Sequence, residues 1–140
     1  MLVTIADSKK EMDDAFQVRH TVFVEEQQVP ADLEIDEYEK EAIHFVAYDQ
    51  QKPAAAGRFR VIDGYAKVER ICVLSDYRKT GLGKQLMDAI EEQALKMELH
   101  KLKLNAQTTA IGFYQKLGYQ ISSEEFMDAG IPHVTMVKTL

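Results

Sequence analysis

The stretch from Glu69 to Lys84, E-R-I-C-V-L-S-D-Y-R-K-T-G-L-G-K, constrains the fold more than any other part of the chain. Val68 to Leu74 is rich in β-branched and apolar residues and predicts a buried strand. The chain then breaks at Ser75-Asp76, turns through Arg78-Lys79-Thr80-Gly81-Leu82-Gly83, and enters a long amphipathic pattern. A strand running through a glycine turn into a helix leaves a row of backbone N–H groups without partners. They sit at the positive end of a helix dipole, which suits an anion and above all a phosphate. A Cβ at Gly81 or Gly83 would obstruct a close ligand oxygen or forbid positive φ. Arg78, Lys79 and Lys84 add positive charge there.

Two phosphate motifs fail on spacing. A Walker loop needs glycine where Arg78 stands and Ser or Thr where Gln85 stands. The dinucleotide fingerprint needs a third glycine where the chain has Leu86. What remains is R-x-x-G-x-G, directly after a strand.

The rest of the chain predicts a mixed α+β domain spanning residues 1–140. Leu2–Ala6 reads as a strand. Ser8 and Glu11 form a capping box for a helix running to about Glu26. Asp32–Glu39 is acidic and poorly periodic. In Ala42–Tyr48, Ile43, Phe45 and Ala47 alternate with His44, Val46 and Tyr48, so the segment is a strand. Asp63-Gly64 is a tight-turn signal between two further strands, Ala55–Ile62 and the one ending before Leu74. A helix after Gly83 carries Leu86, Ile90, Ala94 and Met97 on one face. Leu102–Ala106 is a strand, Ala110–Leu117 a short helix stopped by Gly118, and Tyr119–Ser123 and Val134–Lys138 are the last strands. Such an order excludes an all-parallel sheet.

Composition closes off other classes. There is no apolar run of membrane-spanning length and no export-signal pattern. The single cysteine, Cys72, excludes an internal disulfide and a Cys/His zinc cluster, and fits a reducing, cytoplasmic setting. Four scattered histidines offer no metal-ligand spacing, so no metal is expected. A formal charge of −6 argues against a nucleic-acid partner.

R-x-x-G-x-G between strand and helix resembles the acyl-CoA signature of the GNAT N-acetyltransferase superfamily. About thirty residues on, Phe113-Tyr114-Gln115-Lys116-Leu117-Gly118-Tyr119 is similar to that family's F-Y-x-K-L-G-F. Val22–Pro30 and Gly130–His133 resemble one bacterial, ElaA-like branch of it. The resemblance spans the chain and implies a GNAT fold, with a mixed sheet of six or seven strands flanked by helices. It implies acetyl-CoA as cosubstrate and a small-molecule or peptide amine as acceptor; dimers are common in the family. It places the pantetheine arm on backbone groups near Ile71 and Val73, and the diphosphate on the turn Arg78, Lys79, Thr80, Gly81, Leu82, Gly83 and Lys84. Asn105 resembles a residue that reaches cofactor or acceptor, and Tyr114 one that protonates the leaving thiolate.

Transfer to an amine needs a neutral amine, a polarised thioester carbonyl and a stabilised leaving sulfur. Strand parity puts Glu69 on the same side as Ile71 and Val73, where it could take the amine's proton; the alternative is a carboxylate paired with a nearby arginine. Tyr114 is either the acid or a core aromatic. Cys72 reads as a small buried residue. Arg19, Glu26, Asp36, His44 and His133 are the candidates to line an acceptor pocket. The acidic run Asp32–Glu41 either attracts a cationic amine or is a solvated face. The expected function is N-acetyl transfer by direct attack in a ternary complex. The alternative is a non-catalytic acyl-CoA-binding or regulatory module.

Overall fold

A computed structural model describes residues 1–140. The elements run β1 (Leu2–Ile5), α1 (Lys9–Arg19), a π-helical continuation (His20–Glu26), α2 (Ala31–Glu34), β2 (Ile43–Asp49), β3 (Lys52–Ile62) and β4 (Tyr65–Val73). They continue with a 3-10 turn (Ser75–Tyr77), α3 (Leu82–Lys96), β5 (Lys101–Gln107), α4 (Ile111–Lys116), β6 (Gln120–Ile121), β7 (Phe126–Asp128) and β8 (Ile131–Thr139).

The start of α1 follows from local chemistry. Ser8 Oγ accepts from the Glu11 backbone N–H, and the Glu11 carboxylate accepts from the Ser8 backbone N–H in return. The β3–β4 hairpin turns at Asp63 and Gly64, both at positive φ (48° and 81°), as a tight Asp-Gly turn requires. In β2, Phe45 and Ala47 join the larger core and Val46 the smaller one, so the alternation read from the sequence holds.

One sheet of eight strands carries the fold, in the order β1-β2-β3-β4-β5-β8-β6, with β7 also paired to β8. The count exceeds six or seven because β7 forms a hairpin with the start of β8 across Ala129 and Gly130, both at positive φ. Conversely β6 is only two residues long, not five. A core of 20 buried residues, including Phe59, Leu86, Ile90 and Leu102, joins the sheet to α3 and α4. A second of 7, including Ala15, Val18, Val46 and Cys72, lies under α1.

Two features of β4 create the site. It forms the sheet's one parallel pair, with β5, and touches that strand only from Ala66 to Val68 opposite Leu102 to Leu104. Beyond that point β4 runs on to Val73 and β5 to Gln107 without pairing to each other, so the sheet forks. The second feature is a bulge. Glu69 pairs with Arg58 and Cys72 with Ala56, so Arg70 and Ile71 together oppose Gly57, and Arg70 takes φ 61°. Gly57 makes this workable, because a Cβ there would lie 2.5 Å from Ile71 Cδ1.

The extra residue corrects the parity expected for Glu69. Ile71 and Val73 pack on the α3 side, with the larger core, whereas Glu69 and Cys72 share the α1 side with their partners Arg58 and Ala56. Glu69 therefore lies on the opposite face from Ile71 and Val73.

Candidate active site

The fork opens into a cleft of about 1210 Å³, bounded by β4, β5, the end of the π-helical segment, the turn before α3, and α4. At one end lies the N-terminus of α3. Gly81 is its N-cap at φ 88°, and no side chain caps the helix. The first intrahelical bond runs from Gln85 N–H to Gly81 O, which leaves the N–H groups of Leu82, Gly83 and Lys84 without a helical acceptor. These amides point outward at the positive pole of a 15-residue helix. The two glycines serve different ends. Gly81 supplies positive φ, with nothing near its missing Cβ. Gly83 lets the Phe113 ring approach, since a Cβ would stand 3.2 Å from Phe113 Cζ.

The side chains of the turn differ from expectation. Arg78 is already engaged: its Nε donates to Val73 O (3.0 Å), and its Nη1 and Nη2 form a two-pronged pair with Glu26 (2.7 Å each). Thr80 turns its hydroxyl back to Tyr77 O, and Leu82 buries its side chain in the core. Lys79 and Lys84 stand at the cleft, with Lys84 Nζ 2.8 Å from Asp88.

Along the fork, Ile71 and Val73 line one wall and Asn105 the other. Asn105 is held by Thr135 Oγ1, which donates to its Oδ1 at 2.9 Å. Tyr114, on α4, reaches the cleft with only 7% of its surface exposed, edge-on to Phe113 and Tyr119. Burial pushes its phenol well above the ordinary value near 10, so it stays protonated. Burial likewise pushes the Cys72 thiol up to about 12, where it is inert as a nucleophile.

The other end of the cleft is lined by Phe23, Glu26, Val29, Leu33, Ile131 and His133. His133 is fixed there, its Nδ1 2.6 Å from Ile131 O and its ring stacked on Phe126. Sequence reasoning missed Gln27 and Gln107, which close this end through a 2.8 Å bond from Gln107 Nε2 to Gln27 Oε1. It reads Phe113 only as part of a motif, without its packing against Gly83.

Three expected acceptor-pocket residues lie elsewhere. Arg19, Asp36 and His44 are outside the cleft, and a buried ion network accounts for the first two. Arg19, 1% exposed, donates to both Glu34 and Glu39. Arg58, fully buried, donates to both oxygens of Asp36, to Glu69 (2.9 Å), and lies 2.7 Å from Glu39. Arg60 adds a second grip on Glu69, and Arg70 reaches Glu34 and Asp36. Four arginines thus meet four carboxylates.

Burial works against charge on Asp36 and Glu39, but their arginine partners outweigh it and hold each carboxyl at about 2. Glu69 follows the same balance: burial opposes its charge, while Arg60 and Arg58 bring its carboxyl below the usual range. Glu69 does border the cleft, as an ion-paired wall. His44, 3% exposed, is packed near Phe16 with Nε2 2.8 Å from Glu39 O, and burial lowers its pKa. The acidic run thus divides: Glu34, Asp36 and Glu39 are counter-charges to arginines, whereas Asp32, Glu37 and Glu41 are exposed, as a solvated face would be.

Comparison with known proteins agrees with this geometry. The family model described as Acetyltransferase (GNAT) domain matches residues 7–140. The chain is 52% identical over 139 residues to the Bacillus subtilis (strain 168) protein named Uncharacterized N-acetyltransferase YjcF, covering 99% of each. The crystal structure of an acyl-CoA N-acyltransferase from Pseudomonas aeruginosa superposes with a TM-score of 0.88 at 28% identity, over 99% of this chain and 100% of that one. Escherichia coli ElaA has the same fold, with a TM-score of 0.86 at 23% identity over 98% of each chain. No helix of the structure is long and apolar enough to cross a membrane. By its forked sheet, its uncapped glycine turn and its full-length relatives, this chain belongs to the GNAT acetyltransferases, acyltransferase enzymes with the acyl-CoA N-acyltransferase fold.

Proposed function

We propose that the chain transfers acetyl from acetyl-CoA to a primary amine of a small-molecule or peptide acceptor, by direct attack while both are bound. The observation that carries this reading is the uncapped start of α3 at the mouth of a forked β4–β5 pair, with protonated Tyr114 on the far wall. The amides of Leu82, Gly83 and Lys84 and the charge of Lys79 and Lys84 suit the diphosphate of coenzyme A. The β5-facing backbone of Ile71 and Val73, which no strand covers and where Arg78 Nε holds Val73 O, suits the pantetheine amides and the thioester oxygen, with Asn105 opposite. This reading takes residues 1–140 as one domain.

The acceptor's ammonium first loses a proton to water in the open cleft. The neutral nitrogen attacks the thioester carbon, a C–N bond forms, and the C–S bond breaks as the tetrahedral intermediate collapses. The nitrogen must shed one proton and the sulfur must gain one, so the step balances without an external acid. Tyr114 donates a hydrogen bond to the leaving sulfur. Outright proton transfer from this phenol is uphill, because its pKa is raised above 10 whereas a thiol lies near 8.5; each unit costs about 1.4 kcal/mol. Tyr114 therefore stabilises the sulfur and relays the proton only as the nitrogen releases its own. Glu69, tied to Arg58 and Arg60, is a poor proton acceptor and serves as a fixed wall of the cleft.

Calorimetry with acetyl-CoA, followed by thiol release across a panel of primary amines, tests the reading. Cofactor binding with amine-dependent thiol release is expected. Binding with silence across the whole panel would support the non-catalytic alternative, and no binding at millimolar cofactor would remove both.

A further inference from the structure

The contact between Arg78 and Glu26 joins residues 52 apart and ties the end of the π-helical segment to the phosphate turn. Its position is unusual for a structural ion pair. Both side chains are about two-fifths exposed, both line the cleft, and Arg78 also uses its Nε on Val73 O. Val73 is among the β4 groups assigned above to the pantetheine arm. One arginine thus occupies a backbone acceptor of the cofactor track, while its own charge is spent on a carboxylate of the opposite wall. Around Glu26 the wall is apolar, with Phe23, Val29 and Leu33. The carboxylate also ends a π-helical stretch, a distortion that recurs at functional sites.

We propose that Glu26 is the group that recognises the acceptor's ammonium, and that it is masked by Arg78 until the diphosphate of coenzyme A takes the arginine away. A diphosphate offers the guanidinium more negative charge than one carboxylate, in the same fork geometry. When Arg78 swings to it, Val73 O is freed for the pantetheine arm and Glu26 is left facing the acceptor end without a partner. An anion beside Phe23, Val29 and Leu33 then fits a primary ammonium on an apolar body. It disfavours anionic and polyhydroxylated amines. The inference rests on the acetyl-CoA reading above and adds the acceptor class and the order in which the two sites become available.

Two measurements test it. Exchange makes the Glu26–Arg78 pair a competitor of the cofactor, so Glu26→Gln should lower the calorimetric Kd for coenzyme A about two- to fivefold, as loss of an exposed pair worth roughly 0.5–1 kcal/mol implies. An unchanged or raised Kd would overturn the exchange. Second, the ¹³C carboxyl resonance of Glu26 should respond to hexylammonium chloride in the coenzyme A-loaded chain and not in the free chain. No response when loaded, or an equal response in both, would overturn the masked-receptor role. A wild-type chain that fails to bind coenzyme A at all would instead remove the reading beneath.

Discussion

The two faces of β4 use polar groups in opposite ways. On the α1 side, charge is saturated: Arg58 has no exposed surface and divides its donors among Asp36, Glu39 and Glu69. On the α3 side, polar groups are present but unmatched, with uncapped amides at the start of α3 and the Tyr114 hydroxyl at the cleft. A saturated network holds elements together, here the loop of α2 against β3 and β4. An unsaturated set presented by rigid elements waits for a ligand. The contrast tells function from scaffold where residue type alone does not, since the cleft too has an arginine and a carboxylate, Arg78 and Glu26.

If that division is right, damage to the two faces should separate. The largest effect is expected from Arg58→Ala. It leaves three carboxylates facing one another around a void, and should destabilise the fold by about 3–5 kcal/mol in urea unfolding. A loss below about 1 kcal/mol would mean that the network is ornamental. Acid should attack the same region. Asp36 and Glu39 sit at about 2, below unfolded values near 3.9 and 4.3. Their stabilisation is therefore complete above about pH 4.5 and lost as pH falls through 2. The urea midpoint should drop across that window, with a smaller drop in Arg58→Ala; equal drops in both would contradict the assignment.

Substitutions on the α3 side should spare the fold and harm the chemistry. Tyr114→Phe should cut kcat about 10²-fold, roughly 2.7 kcal/mol, with the Kd for coenzyme A and the melting temperature nearly unchanged. Unaltered turnover would return Tyr114 to the role of a core aromatic. The smallest energy of the three is expected from Gly81→Ala, which forces an L-residue to φ 88° at a stability cost of about 1 kcal/mol. It should still weaken coenzyme A measurably, because the tilt of the following amides depends on that angle. Undiminished affinity would argue against a backbone cradle.

What the sequence disclosed and what it withheld divide along the same physical line. Short-range chemistry was readable: the Ser8–Glu11 box, the Asp63-Gly64 turn, the two faces of β2, and the glycine turn before α3 all depend on residues within a few positions of one another. Features set by distant partners were not. Nothing local to Asp36 says that it will meet Arg58 and Arg70, 22 and 34 residues on, so the acidic run read as bait or as surface. The bulge reversed the parity of Glu69 by adding one residue, and it was not legible because an arginine, not a glycine, takes the positive φ. Its signal lay across the ladder, in Gly57, a glycine inside a strand. The β7–β8 hairpin hid for a related reason: Ala129, not a glycine, supplies one of its two left-handed residues.

The most direct test of the central claim is an amide-resolved ¹⁵N–¹H titration of the 16.0 kDa chain with coenzyme A. The account predicts that the Gly81, Leu82, Gly83 and Lys84 amides show the largest shifts, moving downfield as they donate to the diphosphate, while the amides of Glu34, Asp36 and Glu39 stay still. Saturable binding that leaves those four amides unmoved would contradict it.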